Sequence, residues 1–110
     1  MIQITYYVPE SAHEKLKQKL FKAGAGKLGN YDQCCWYTLG EGQFRPLTGS
    51  SPNLGKINQL HQLQEYKVEM VCEEKYLKAV VKTLLKHHPY EQPAYMLIDA
   101  SQTIKYLIDK

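Results

Sequence analysis

The first residues of the chain alternate between apolar and polar side chains. Ile2, Ile4, Tyr6 and Val8 recur at every second position, and Pro9 ends the run. A period of two is typical of a β-strand that buries one face. The pattern therefore predicts a first strand with one side on a core.

A helix is predicted next from a capping pattern, a stop signal and an apolar stripe. Ser11 and Glu14 have the spacing at which each side chain bonds the other residue's backbone N–H at a helix start. Gly24 supplies the left-handed residue that ends many helices. The expected buried stripe consists of Ala12, Leu16, Leu20 and Ala23, with Phe21 beside it.

Residues 32–39 and 66–72 predict the second and third strands, because both runs are rich in β-formers. The connection at 40–60 carries many glycines and prolines, and residues 43–45 are a candidate short extended piece within it. A connection this long in a compact domain is usually functional or wrapped on the surface. We therefore expect this connection to contribute to any site.

The second helix has the clearest periodic signal of the chain. Glu73 and Glu74 open it, since acidic side chains favour the positive end of the helix dipole. His88 precedes Pro89 and must leave the helical region, so the helix ends there. The predicted stripe consists of Leu77, Val80, Val81, Leu84 and Leu85.

The last part of the chain completes the predicted fold. Residues 94–100 predict a fourth strand with two fairly apolar faces, and the tail at 103–108 fits either an extra strand or a turn. The order is therefore β-α-β-β-α-β. Right-handed crossovers with both helices on one face give an α+β ferredoxin-like sandwich, a four-stranded antiparallel sheet in a single domain over residues 1–110.

Composition narrows the class of protein. With 110 residues, of which 44% are hydrophobic, the chain can bury its own core, so a disordered tail and a disulfide scaffold are excluded. No apolar run approaches 18 residues, no signal-peptide pattern opens the chain, and the three cysteines lack metal-type spacing. We expect a cytoplasmic protein with reduced thiols and no membrane partner. The net charge of +3 is spread over helix faces, so no nucleic-acid partner is expected.

The glycines Gly24, Gly26 and Gly29 have the spacing of a dinucleotide fingerprint. That fingerprint must follow a strand and open a helix, whereas these glycines follow a helix. We interpret them as a turn that ends the helix. The alternative is a nest of backbone N–H groups that binds an anion with help from Lys27 and Arg45.

A second candidate lies at the end of the second helix, where His87, His88, Tyr90 and Glu91 bring titratable groups into one turn. Such groups can act as general acids and bases or as metal ligands. The structural alternative is that His87 complements the helix dipole and the turn only orients the next strand. No serine or cysteine has the sequence context of a nucleophile, so we expect no enzymatic activity from this chain alone.

The chain has nine tyrosines, a residue common at interfaces because it combines apolar area with a hydrogen-bonding tip. A face without helices that carried Tyr7, Tyr37 or Tyr95 with Leu39 and Leu97 would be too apolar to stay hydrated. Self-association is then expected. Amphipathic surface tyrosines are the alternative.

Three motifs carry a family resemblance: residues 24–34 (GAGKLGNYDQC), 40–47 (GEGQFRPL) and 88–95 (HPYEQPAY), with Pro52 and Gly55 between the last two. They resemble the domain inserted in bacterial Nif-three-like proteins of the YqfO type, over nearly the whole chain. The chain departs from the family pattern at Ser51, Gln92 and Met96. The resemblance implies a fold similar to the PII signalling proteins and CutA, which are ferredoxin-like trimers. It implies no metal-hydrolase activity here, because the dinuclear metal site of the family lies in the two halves that flank the insertion.

By analogy of fold with the PII proteins, we expect the 40–60 connection and the two candidate turns to form one ligand site. The expected function is a non-enzymatic, homo-oligomeric binding or regulatory module, a trimer by analogy or a dimer, that recognises a small anion or a partner protein. The alternative is CutA-like divalent-metal binding through His87, His88 or Glu91 with a cysteine. No cofactor is identified. The expected site residues are Gly24, Gly26, Lys27, Gly29, Asn30, Phe44, Arg45, His88, Tyr90 and Glu91.

Overall fold

The computed structural model describes residues 1–105, and it has the predicted order of strands and helices. No helix in this range is both long and apolar enough to cross a bilayer. The predicted tail begins in a short helix rather than a strand, and its residues 106–108 lie outside the described residues. The elements are β1 (Ile2–Pro9), a 3-10 turn (Glu10–Ala12), α1 (His13–Ala23), β2 (Trp36–Phe44), β3 (His61–Cys72), α2 (Glu74–His87), β4 (Tyr95–Asp99) and α3 (Gln102–Lys105).

The four strands form one sheet in the order β2-β3-β1-β4, and every neighbouring pair is antiparallel. This is the ferredoxin-like arrangement, so the predicted α+β fold class is confirmed. β1 and β3 are the central strands, while β2 and β4 form the two edges.

The core lies between one face of the sheet and the two helices. The alternation predicted for β1 is confirmed, because Ile4, Tyr6 and Val8 are fully buried. The core also contains residues of β3 and of the two helices: Val68, Met70, Cys72, Leu16, Leu20, Val80 and Leu84. Burial of this apolar surface is the main favourable contribution to folding.

The predicted capping box at the start of α1 is wrong. Ala12, not Ser11, is the N-cap, and no side chain bonds the cap. The carboxylate of Glu14 instead receives Lys17 Nζ at 2.9 Å and Gln18 Nε2 at 3.1 Å. Lys17 and Gln18 lie one turn after Glu14 on the same helix face. They therefore bind the carboxylate that a capping box would use for the backbone N–H. The predicted stop at Gly24 is confirmed, with a φ of 124°.

The β2–β3 hairpin is longer than predicted. β2 begins four residues later than the predicted start at 32 and continues to Phe44, and β3 begins at His61. Gly40 and Gly42 were interpreted as loop signals, but both pair within the hairpin, opposite Glu65 and Leu63. The cross-strand ladder stabilises glycine in a strand despite its low propensity. The connection between the strands therefore shrinks to residues 45–60.

The exposed face of the sheet differs from the expectation. Residues directly opposite each other in neighbouring strands share a face. Tyr37, Leu39, Tyr95 and Leu97 are opposite Val68, Tyr66, Tyr6 and Ile4, which places them on the helix side. Of the predicted set, only Tyr7 lies on the open face.

Polar residues occupy the centre of that open face. Gln3 donates to Thr5 Oγ1 at 3.3 Å and to Glu69 at 3.4 Å, and Lys67 Nζ lies 3.3 Å from the Glu69 carboxylate. Large apolar side chains flank this centre on the two edge strands. These are Trp36 on β2 and Met96 and Ile98 on β4, all about half exposed or more.

The turn after α2 is fixed to β1 by His88, which is only 7% exposed. His88 Nδ1 accepts the backbone N–H of Tyr90 at 3.1 Å, and Nε2 lies 2.6 Å from the carbonyl oxygen of Tyr7. Both bonds form at once only in the neutral imidazole whose proton is on Nε2. Burial lowers the pKa of His88 and favours this neutral form, against the opposing effects of Tyr7 and Glu65.

Adjacent leucines of α2 provide a matched test of the core. Leu84 is fully buried, whereas Leu85, which the stripe also included, is 48% exposed. We expect Leu84→Ala to lower the free energy of unfolding by about 3 kcal/mol, because it leaves a cavity. Leu85→Ala should change it by about 0.5 kcal/mol or less. Urea unfolding followed by circular dichroism measures both; equal losses would contradict the packing described.

A second prediction concerns pH. The pKa of His88 lies below its ordinary value of 6.5 in the folded chain, so the unfolded chain takes up the proton first as the pH falls. The free energy of unfolding should therefore be highest above about pH 6.5 and decrease towards pH 5. His88→Gln should reduce this slope, with a remainder from His13, whose pKa burial also lowers, and a smaller one from the exposed His87, whose pKa is lowered too.

His87→Gln is the matched control for this slope, since His87 is the exposed neighbour at the same helix end. It should keep most of the slope. Urea titrations at several pH values measure it, and an unchanged slope in His88→Gln would refute the assignment.

Candidate functional site

A cavity of about 460 Å³ lies between the end of the β2–β3 hairpin, the 45–60 connection and the turn after α2. We call it the hairpin pocket. Its volume is in the range of small-molecule sites, and its wall is mainly apolar, as such sites usually are. The apolar and aromatic lining includes Tyr7, Phe44, Pro46, Leu54, Tyr90 and Ala94.

Phe44 is the aromatic centre of the wall. Its ring lies 5.2 Å from the His61 ring and 6.0 Å from the Tyr90 ring, between centroids. Gly55, with a φ of +85°, approaches Phe44 and His61 so closely that a Cβ there would stand 3.3 to 3.4 Å from them. Glycine at this position therefore allows the 45–60 connection to fold back over the hairpin.

Glu65 brings a carboxylate to the wall. Its Oε2 accepts the Tyr90 hydroxyl at 2.8 Å. The carboxylate occupies the space beside Gly42, where any Cβ would overlap it. Burial and this carboxylate raise the pKa of Tyr90, so the phenol remains protonated and continues to donate.

Glu91 joins the turn to the 45–60 connection. Its two carboxylate oxygens accept the backbone N–H of Ser51 at 3.0 and 3.2 Å. Because the donor is a backbone group, the contact does not depend on the side chain at position 51 unless it is proline. Within the connection, Asn58 N–H also donates to the Pro46 carbonyl at 2.6 Å. These bonds hold the connection in place over the cavity.

Arg45, the only arginine of the chain, lines the cavity at its exposed side. Its guanidinium forms no ion pair with any side chain in the described part of the chain. The guanidinium offers a planar fork of donors that suits carboxylate or phosphate oxygens. The pocket thus combines an apolar interior with one open cation.

The predicted site residues separate into two groups. Phe44, Arg45, Tyr90 and Glu91 all line the hairpin pocket. His88 lies behind these residues and holds Tyr90 in place by accepting its backbone N–H. The turn at 24–30 is absent from this group.

The glycine turn lies at the other end of the sheet. Gly26 N–H donates to the Val71 carbonyl at 2.8 Å, and Val71 is six residues from Glu65 along β3, or about 20 Å. Gly24 and Ala25 N–H groups bond carbonyls in the last turn of α1. The expectation of a single site that includes Gly24, Gly26, Lys27, Gly29 and Asn30 is therefore wrong, because this turn lies at the far end of β3, where the Gly24 N–H ends the helix and the Gly26 N–H anchors it to Val71.

The donors of the metal alternative are likewise dispersed. Cys72 precedes the start of α2 and His87 ends it, about 20 Å away along 14 residues. Both ring nitrogens of His88 are already engaged. Within the described residues, no three histidine, cysteine or acidic side chains are grouped as a metal site requires.

Sequence reasoning missed Tyr7 and Glu65 as site residues. Tyr7 was noted for the open face, while Glu65 preceded the predicted third strand and carried no local signal. Their relation to Phe44 depends on the strand register, which places Glu65 opposite Pro9 on one side and Gly40 on the other. A period-two pattern does not specify that register between distant strands.

The chain was compared with known proteins, and no family model matches it. A protein named GTP cyclohydrolase 1 type 2 homolog from Bacillus subtilis is 36% identical over 101 residues, which is 92% of this chain and 27% of the relative. The protein of the same name from Mycobacterium leprae is 38% identical over 89 residues, or 81% of this chain and 23% of the relative. The chain therefore spans about a quarter of the length of these curated relatives.

Solved structures agree with the fold. A Bacillus cereus protein related to NIF3 superimposes with a TM-score of 0.75 at 30% identity, over 88% of this chain and 24% of that one. The PII-like protein CutA from Nostoc sp. PCC 7120 superimposes with a TM-score of 0.68 at 12% identity, over 97% of this chain and 86% of that one. The chain is thus a homologue of one quarter-length segment of the NIF3-related proteins, and it has the fold of the PII-like protein CutA.

Proposed function

We propose that this chain is a non-enzymatic, homo-oligomeric binding module whose hairpin pocket takes a small organic anion. The anionic group binds Arg45, and the apolar part of the ligand packs against Phe44 and Tyr90. The observation that carries the proposal is a largely apolar cavity with one unpaired guanidinium on its exposed side.

The energetics favour a ligand that has both an anionic group and an apolar part. Burial of apolar ligand surface contributes about 25 cal/mol per Å². The guanidinium of Arg45 is exposed, so its charge-assisted bonds to a carboxylate or phosphate add orientation and a modest energy to this burial. An inorganic anion alone would leave the apolar wall uncovered. A protein partner was also expected from the sequence, but none of the described features selects one.

The titratable groups of the pocket support binding rather than catalysis. The Tyr90 hydroxyl is held by Glu65 Oε2, both oxygens of Glu91 accept the Ser51 N–H, and both nitrogens of His88 contact the main chain. A general acid or base needs a free position towards the reacting atom, and among these groups only Glu65 Oε1 offers one. The relatives' name refers to proteins about four times as long, so we propose that this segment serves them as a binding unit.

Self-association is supported by the edge strands. Both β2 and β4 lack a neighbour on one side, and they expose Trp36, Met96 and Ile98 next to that edge. Unpaired strand edges with exposed apolar side chains favour pairing with another chain. We propose that the occupant is a second copy of this chain, in a dimer or a trimer.

The ligand proposal is tested with 3-phenylpropionate as the probe. We expect it to shift the backbone amide resonances of Phe44 and Tyr90 in a saturable way. Arg45→Ala should weaken binding roughly tenfold, because the carboxylate loses its charged partner. Lys56→Ala is the control, since it removes an exposed cation from the same connection outside the cavity lining. Equal affinity in both variants would refute the role of Arg45.

The assembly proposal is tested by size-exclusion chromatography with light scattering. We expect a mass that is a multiple of 12.7 kDa for the native chain and a lower multiple for Trp36→Lys. Tyr31→Lys, at a 76% exposed aromatic residue outside the sheet, should leave the mass unchanged. A native mass of one chain at all concentrations would refute the proposal.

A further inference from the structure

We propose that the ligand of the hairpin pocket is a zwitterion of the amino-acid class, whose ammonium group binds Glu65 while its carboxylate binds Arg45. Its apolar side chain then occupies the aromatic part of the cavity. This inference rests on the proposed function and adds a second charged contact, which defines the class of ligand.

The first argument is the state of the Glu65 carboxylate. Oε2 accepts the Tyr90 hydroxyl, but Oε1 has no hydrogen-bond or ion-pair partner among the described residues. Glu65 is half-buried and lines a largely apolar cavity. Oε1 still reaches solvent, but a ligand that displaces this water must supply a cation or further donors to compensate the charge. The ammonium group of a ligand would supply both.

The aromatic wall supports the same cation. The rings of Tyr7, Phe44 and Tyr90 line the cavity together with Glu65. Aromatic faces attract cations through their quadrupole, and the attraction is larger where water is excluded. The Tyr90 hydroxyl already donates to Glu65, so this ring is held next to the carboxylate. Aromatic faces beside a carboxylate are a recurring way to recognise ammonium groups.

The charged groups that lack a partner then favour a zwitterion. The cavity is lined by two carboxylates and one guanidinium; both oxygens of Glu91 accept the Ser51 N–H, whereas Glu65 Oε1 and the Arg45 guanidinium have no partner among the described residues. One open anion, Glu65, and one open cation, Arg45, remain. A simple anion would leave Glu65 uncompensated, and a simple amine would leave Arg45 unpaired. A ligand with an amino and a carboxylate group satisfies both.

Gly42 provides the space in which the Glu65 carboxylate lies. The Glu65 carboxylate occupies the volume that the Cβ of any other residue at position 42 would take. Glycine is otherwise unfavourable within a strand, where it has no side chain to pack. Gly42 therefore permits the position of the acceptor that the proposed ammonium group requires.

The experiment compares four probes on the full chain by amide chemical shifts. Phenylalanine carries both charges, 3-phenylpropionate lacks the ammonium group, and phenethylamine lacks the carboxylate. We expect phenylalanine to bind at least about tenfold more tightly than either of the others. Phenylalanine amide keeps the ammonium group without the carboxylate. If it binds as tightly as phenylalanine, as the N-terminus of a peptide partner would, the inference is overturned.

Two matched variants test whether the ammonium group of the ligand contacts Glu65. Glu65→Gln keeps an acceptor for the Tyr90 hydroxyl and should weaken phenylalanine about tenfold without weakening 3-phenylpropionate. Glu41→Gln removes an exposed carboxylate from the same hairpin outside the cavity lining and should change neither affinity. Thermal melting of both variants checks that the fold is retained.

The outcomes separate this inference from the proposed function. If 3-phenylpropionate binds as tightly as phenylalanine and Glu65→Gln changes neither, the zwitterion is refuted while the anion site stands. If phenylalanine binds more tightly but Glu65→Gln does not weaken it, the assignment to Glu65 is refuted. If no probe shifts the pocket resonances at about 10 mM, both proposals are refuted.

Discussion

The hydrogen bond between His88 and the Tyr7 carbonyl joins the core of this protein to its pocket. β4 pairs with β1 only as far as Tyr6, so His88 provides a partner for the chain just beyond the last paired residue. A buried carbonyl without a partner would be costly. The same imidazole receives the N–H of Tyr90 and thereby fixes the residue whose hydroxyl engages Glu65. The pocket wall therefore derives its geometry from the central strand.

The hairpin contributes the other half of the site in a different way. Its strands are joined by backbone bonds along nine paired positions, so Phe44 and His61 stand at its far end at a fixed distance. The 45–60 connection returns over this end and is held by Glu91 and by the Pro46 carbonyl. A connection that would otherwise be mobile thus forms one wall of a cavity. The chemistry is carried by a few side chains on an otherwise apolar surface, which is the usual division of roles in a ligand site.

The homologues of this chain are much longer than the chain itself. The related proteins are about four times as long, and this chain matches one segment of them over about nine-tenths of its own length. A chain with its own hydrophobic core can fold as a unit. All the residues that line the hairpin pocket belong to this chain, so the proposed binding can be tested on the chain alone.

The order of strands and helices was determined by the sequence alone, because periodicities of two and 3.6 are local properties of the chain. The same holds for site residues that are neighbours in sequence, such as Phe44 with Arg45 and Tyr90 with Glu91. The extent of the hairpin and the role of Glu65 were decided by the tertiary structure, since both depend on strand register. Register also explains why the glycine turn does not join this site: the Gly26 N–H bonds Val71 at the other end of β3, and the turn ends α1, as its glycines indicate. Local patterns determine which elements form, and only long-range packing determines which of their side chains meet.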